Sequence, residues 1–135
     1  MIAGILVCVV VLAAASVVGL ARRRRDGKLT QPRPVRLTPA QLGQPLGGRA
    51  TLLQFSSELC APCRATRQVL GEVARGLDGV THVEVDAAER LDLVRLLDVR
   101  RTPTVFVLGP DGRVTRRGSG AVRKDEVLAA LGAAG

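Results

Sequence analysis

The stretch "SSELCAPCRATRQVL", residues 56–70, holds two of the chain's three cysteines, Cys60 and Cys63, with Pro62 between them. It follows "ATLLQFS", residues 50–56, an apolar run of strand length, and it continues into residues whose apolar positions, Val69, Leu70, Val73 and Leu77, recur at helical spacing. The pair therefore falls where a buried strand hands over to a helix. A structural disulfide between residues three apart closes a very small loop and restricts the unfolded chain little. A zinc site needs four ligands, and only Cys8, inside an apolar run, and His82, on a different strand, remain to join the pair. One chain does not complete that set; a metal shared between two chains stays open. Redox chemistry suits the placement, because backbone N–H groups and the helix dipole at a helix start stabilise a thiolate. Cys60 at the start gains most, Cys63 one turn in is more sheltered, and Arg64 and Arg67 add positive potential. An exposed thiolate that attacks and a sheltered thiol that resolves are what thiol–disulfide exchange requires.

Outward from this centre the pattern alternates. "VTHVEVDA", residues 80–87, alternates as a strand does. "AERLDLVRLLDV", residues 88–99, returns to helical spacing through Leu91, Val94 and Leu97 or its neighbours. "TPTVFVLG", residues 102–109, reads as a second buried strand, and "PDG", residues 110–112, as a hairpin turn in which Gly112 takes positive φ. "RVTRRGSG" pairs back, and "VRKDEVLAALGAA" closes the chain as a helix with Val127, Leu128 and Leu131 inward. Thr38 with Pro39 at the first helical position predicts a short helix before the first strand. The order β-α-β-α-β-β-α predicts an α/β fold, a mixed central sheet with helices on both faces.

Residues 2–21 carry no charge, and at ~1.5 Å per residue they extend ~30 Å, the thickness of a bilayer core. A core helix this uniformly apolar would need a larger protein around it. A cleaved signal peptide would open with basic residues, whereas here Arg22–Arg25 follow the apolar run. The expectation is one retained transmembrane anchor over 1–21 and a basic, Pro-containing linker over 22–35, extended by Pro32 and Pro34, ahead of a domain over 36–135. Arginines beside a span favour the cytoplasmic side, so the chain is expected to be single-pass in the cell membrane with the domain facing the cytosol. Net charge is +8, but residues 1–49 hold eight Lys/Arg against one acid and residues 50–135 hold twelve against eleven. The basicity belongs to the arm. With no Trp or Tyr and two Phe, no aromatic platform for stacking bases exists, and nucleic-acid binding is not expected.

Residues 36–135 resemble the thioredoxin family. "FSSELCAPCR" is similar to that family's strand-to-helix active site, and "RRTPT", residues 100–104, falls where the family carries a cis-proline. "DG" at 111–112 and Gly120 match its hairpin and its late glycine. The resemblance implies a thioredoxin-like fold, Cys60 as nucleophile, Cys63 as resolving thiol, and Thr102 with Pro103 as the element that docks an extended substrate. It implies protein thiols and disulfides as partners, and electrons that pass through the dithiol without an organic cofactor or metal. Three positions depart from the family pattern. Leu59 stands for the tryptophan before the first cysteine, Gln54 for the buried acid beneath the pair, and His82 for a lysine facing that acid. The sequence thus points to a membrane-anchored thiol–disulfide oxidoreductase. An outward-facing reductase or oxidase for secreted proteins, and a non-enzymatic module that binds a partner or a soft metal ion, are the alternatives.

Overall fold

A computed structural model describes residues 1–134. In chain order it contains α1 (Ile2–Arg25), α2 (Pro39–Leu42), β1 (Ala50–Ser56), α3 (Ala61–Gly76), β2 (Val80–Asp86), α4 (Leu91–Leu96), β3 (Thr104–Leu108), β4 (Val114–Ser119) and α5 (Lys124–Ala134). Every residue of β1 and of β3 is buried, so both must be interior strands. The sheet order is β2-β1-β3-β4. β1 runs parallel to β2 with Leu52 opposite His82, and antiparallel to β3 with Leu53 opposite Phe106.

Successive side chains of a strand point to opposite faces, and this divides the core in two. On one face Leu53, Phe55, Phe106 and Leu108 pack with Leu93 and Leu97 around α4 and with Leu37 and Leu42 around α2. The Phe55 and Phe106 rings meet edge to face at 5.7 Å. On the other face Leu52, Val105 and Val107 pack against Leu70 and Val73 of α3 and Val127, Ala130 and Leu131 of α5. Gln54, between Leu53 and Phe55, belongs to the α3 face and lies beneath Cys63.

Thr38 caps α2, its hydroxyl accepting from the Gln41 N–H while the Gln41 side chain accepts from the Thr38 N–H. Two inward faces differ from the sequence expectation. α4 is only six residues long and starts after an irregular turn, so Leu93 and Leu97 face the core one helical turn apart while Leu91 is exposed. In α5 the stripe is Val127, Ala130 and Leu131; Leu128, about 100° around the helix from Val127, points to solvent.

α1 buries no residue and carries a stretch of mean hydropathy 2.8, long and apolar enough to cross a membrane. The helix continues through the arginines to Arg25. Beyond it, residues 27–37 run beside β4: Thr30 and Arg117 exchange backbone hydrogen bonds at 2.7 and 2.8 Å, Val114 N–H donates to Val35 C=O, and Leu37 N–H donates to Gly112 C=O. This segment occupies the edge that β4 would otherwise leave open.

Candidate active site

Cys60 is the N-cap of α3 in extended conformation, and its Sγ accepts the Cys63 N–H at 3.2 Å. Pro62 sits in the first turn, where its missing N–H costs no intrahelical bond. The two cysteines are joined by a disulfide with their Cα atoms 5.2 Å apart. Cys63 is 1% exposed, because it opens the buried stripe that continues through Thr66, Leu70 and Val73. Cys60 is half-buried at the rim. Attack from outside the protein therefore meets Cys60 first, and a thiolate there receives the N–H that the disulfide sulfur accepts now.

The three departures from the family pattern occupy distinct places. Gln54, fully buried, donates from Nε2 to the Cys63 carbonyl and to Ser56 Oγ, both at 2.9 Å. The Cys63 carbonyl can only accept, so the amide orientation follows, and Gln54 Oε1 is left to face His82 Nε2 at 3.0 Å. His82 must carry its proton on Nε2 to satisfy that contact. Burial holds the His82 pKa below its ordinary value of 6.5; Glu84 opposes this shift and Arg67 reinforces it. The imidazole is thus a neutral hydrogen-bond donor to Gln54 near neutral pH. The contact follows from strand register, since Leu52 lies opposite His82 and Gln54 is the next residue along on the same face. Leu59 is 97% exposed beside Cys60, an apolar side chain with nothing packed on it.

Arg64 and Arg67 differ in what they contribute. Arg67 is bonded to Glu84 at 2.7 Å, so a carboxylate accompanies its charge. Arg64 is exposed in the first turn of α3 and has no ion pair among the described residues.

Opposite the cysteines, the Thr102–Pro103 peptide is cis and Pro103 is buried. Thr102 Oγ1 lies 3.0 Å from Ser57 Oγ, which ties the loop before β3 to the loop between β1 and Cys60. Gly120 N–H donates to the Pro103 carbonyl at 2.8 Å. The Thr102 N–H and C=O have no hydrogen-bond partner among the described residues and offer an extended segment one donor and one acceptor. A groove of about 780 Å³ runs beside them, lined by Pro62, Thr102, Pro103 and Gly120, with Leu20, Arg23 and Arg24 of α1 on a further wall. Sequence reasoning missed Ser57 and the residues that bring α1 here, Asp26 and Arg101. Asp26 had one visible signal, being the single acid among residues 1–49.

Cys8 is exposed on α1 and unpaired. Among the described residues no three or more His, Cys, Asp or Glu side chains converge as metal ligands would.

Comparison with known proteins agrees with this geometry. The thioredoxin family model matches residues 39–133. Thioredoxin H5 of Oryza sativa subsp. japonica is 37% identical over 61 residues, which is 45% of each chain. An H-type thioredoxin of Fagopyrum esculentum is 31% identical over 81 residues, 60% of this chain and 68% of its own. The chain thus spans about half to two thirds of the length of these relatives. Among solved structures, thioredoxin f from spinach chloroplast superimposes with a TM-score of 0.57 at 27% identity, covering 65% of this chain and 72% of that one.

Proposed function

This chain belongs to the thioredoxin family, and from this we propose that it is a membrane-anchored oxidoreductase that exchanges disulfides with protein partners through Cys60 and Cys63. In the reducing direction the Cys60 thiolate attacks one sulfur of a partner disulfide. A Cys60–partner disulfide forms, and the partner's other sulfur leaves as a thiolate and takes up a proton. Cys63 then gives up its proton and attacks Cys60 Sγ. The Cys60–Cys63 disulfide forms, and the second partner sulfur leaves and is protonated. Two electrons have passed from the pair to the partner, whose two protons balance the one released by Cys63 and one drawn from solvent, and an external dithiol must restore the reduced pair. Run backwards, the same steps oxidise a partner dithiol.

Thr102 and Pro103 dock the partner, whose extended backbone bonds the free Thr102 N–H and C=O. Arg64 adds positive potential beside Cys60, and Leu59 offers the partner an apolar rim. Gln54 cannot ionise, so it positions the Cys63 carbonyl and leaves proton transfer to solvent. His82, a neutral donor, holds Gln54 in that orientation. α1 is the anchor, and Arg22–Arg25 favour a single-pass orientation with the domain on the cytoplasmic side of the cell membrane.

The observation that carries this reading is Cys60 Sγ at the start of α3, accepting the Cys63 N–H while Cys63 itself is shielded. Its test is trapping in cells. Full-length Cys63→Ser should accumulate reductant-sensitive covalent complexes, because Cys60 attacks and nothing releases it, whereas Cys60→Ser should trap almost none. Equal trapping by both variants, or none by either, would count against these roles. Absent turnover together with tight binding of a soft metal would favour the non-enzymatic alternative.

A further inference from the structure

The groove beside Pro103 is built from two separate parts of the chain. The last two turns of α1 contribute Leu20, Arg23 and Arg24, and Pro62 and the Thr102–Pro103 peptide contribute the part next to the sulfurs. α1 is held there by specific contacts. Asp26, the residue after the helix, forms an ion pair with Arg101, two positions before Pro103. Gly27 donates its N–H to the Ser119 carbonyl at 2.6 Å. At Gly27 φ is +77°, and a Cβ would stand 2.0 Å from the Ala121 carbonyl oxygen, so only glycine lets the backbone pass this closely.

The charges around the groove are one-sided. Arg23, Arg24, Lys28, Arg101 and Arg123 face two carboxylates, Asp26 and Glu126. Both carboxylates are engaged, Asp26 by Arg101 and Glu126 by Arg123 at 3.4 Å. No carboxylate pairs with Arg23, Arg24 or Lys28 among the described residues. The negative end of the α1 dipole offsets about half a charge, far less than this excess.

We propose that this groove takes an extended acidic segment flanking the reactive cysteine of a partner protein, and that Arg23 and Arg24 at the end of α1 set that preference. The proposal rests on the exchange chemistry assigned to Cys60. A polypeptide suits the site better than a lipid headgroup because Thr102 presents a free donor and a free acceptor side by side. Backbone can use both, and a phosphate has no donor to return. The apolar stretch of α1 ends at the groove, so the partner's acidic segment meets the enzyme at the membrane face.

The test uses the reduced full-length protein in phosphatidylcholine nanodiscs, with dithiothreitol as reductant. Three disulfide peptides share one cystine and differ only in flanking residues, all Glu, all Gln or all Lys. The Glu peptide should be reduced about tenfold faster than the Gln peptide and the Lys peptide correspondingly slower, as electrostatic steering gives. The Glu-to-Gln ratio should shrink at about 0.5 M salt, where screening is strong. Arg23→Gln with Arg24→Gln should bring that ratio to about threefold or less. Removing two charges elsewhere, Arg33→Gln with Arg95→Gln, should leave the ratio in place. Equal rates for the Glu and Gln peptides overturn the proposal, as does a ratio that the Arg23/Arg24 variant does not move. If that variant loses only its hold on phosphatidylglycerol vesicles while peptide selectivity persists, the arginines serve lipid and the proposal fails. All rates are read above the rate with dithiothreitol alone; if none of the three peptides exceeds that rate, or if the excess survives Cys60→Ser, the exchange chemistry itself and the proposal with it are overturned.

Discussion

α1 and α3 reach one groove from opposite ends and are stabilised by opposite means. α3 arrives with its N-terminus, where free backbone N–H groups meet Cys60, and it is held by a buried stripe of Cys63, Thr66, Leu70 and Val73. α1 arrives with its C-terminus, where Arg22–Arg25 meet the negative end of the dipole, and none of its residues is buried. A helix in water needs one apolar stripe and a core to press it against; a helix apolar all round needs a different solvent. At the groove, the positive potential near the sulfur comes from backbone and from Arg64 on the α3 side. On the α1 side it comes from side chains, which substitution can remove without touching the fold of the domain.

The largest effect should come from the charges that end α1. A reporter active only outside the cell membrane, fused to the C-terminus, should be silent behind the native arm. It should become active when Arg22, Arg23, Arg24 and Arg25 are all replaced by Ser, because the four cations nearest the span, which most oppose translocation of the domain, are then gone. Strong activity behind the native arm would place the domain outside and break the assignment of those cations to the cytoplasmic face.

Next comes a matched truncation in the two helices. Leu70→Ala in α3 removes a fully buried side chain and should cost the domain about 2–5 kcal/mol in denaturant unfolding followed by circular dichroism in micelles. Leu12→Ala in α1, where the side chain is exposed to whatever surrounds the helix, should leave that unfolding curve in place. A comparable loss from Leu12→Ala would mean that α1 packs on the domain rather than in a bilayer.

The smallest effect should be a slope. His82 lies on the α3 face of the sheet, and burial holds its folded-state pKa below 6.5. As pH falls through 6.5 the unfolded chain binds a proton there that the folded chain does not, so stability is full above this pH and declines on acidification. Two other charged groups face this imidazole, Glu84 beside it on β2 and Arg67 from α3, and both enter that balance. His82→Asn should flatten the decline between neutral pH and the folded-state pKa. An unaltered slope would assign the acid sensitivity to other groups.

Much of the site was legible because its logic is local. The helix start, the placement of Cys60 outside it and Cys63 one turn in, and the alternation of strand and helix each depend on a few neighbouring residues and on a period of two or 3.6. The Thr38 cap and the turn at Gly112 are of the same kind. Leu91 and Leu128 went astray because apolar spacing defines a stripe only once the helix bounds and the packing partner are set.

Tertiary structure alone decided what meets what. Strand register brought His82 to Gln54, 28 residues away along the chain; the family resemblance implied that they face each other, but no local period of the sequence records it. Sheet closure gave β4 an open edge, and the segment after α1 took it, which turned a stretch read as linker into an outer rim of the sheet. The pairing of Asp26 with Arg101, 75 residues apart, then carried the end of α1 to Pro103. Contacts of this range are chosen by which surfaces remain unpaired after the core has formed. Local periodicity holds no record of that choice.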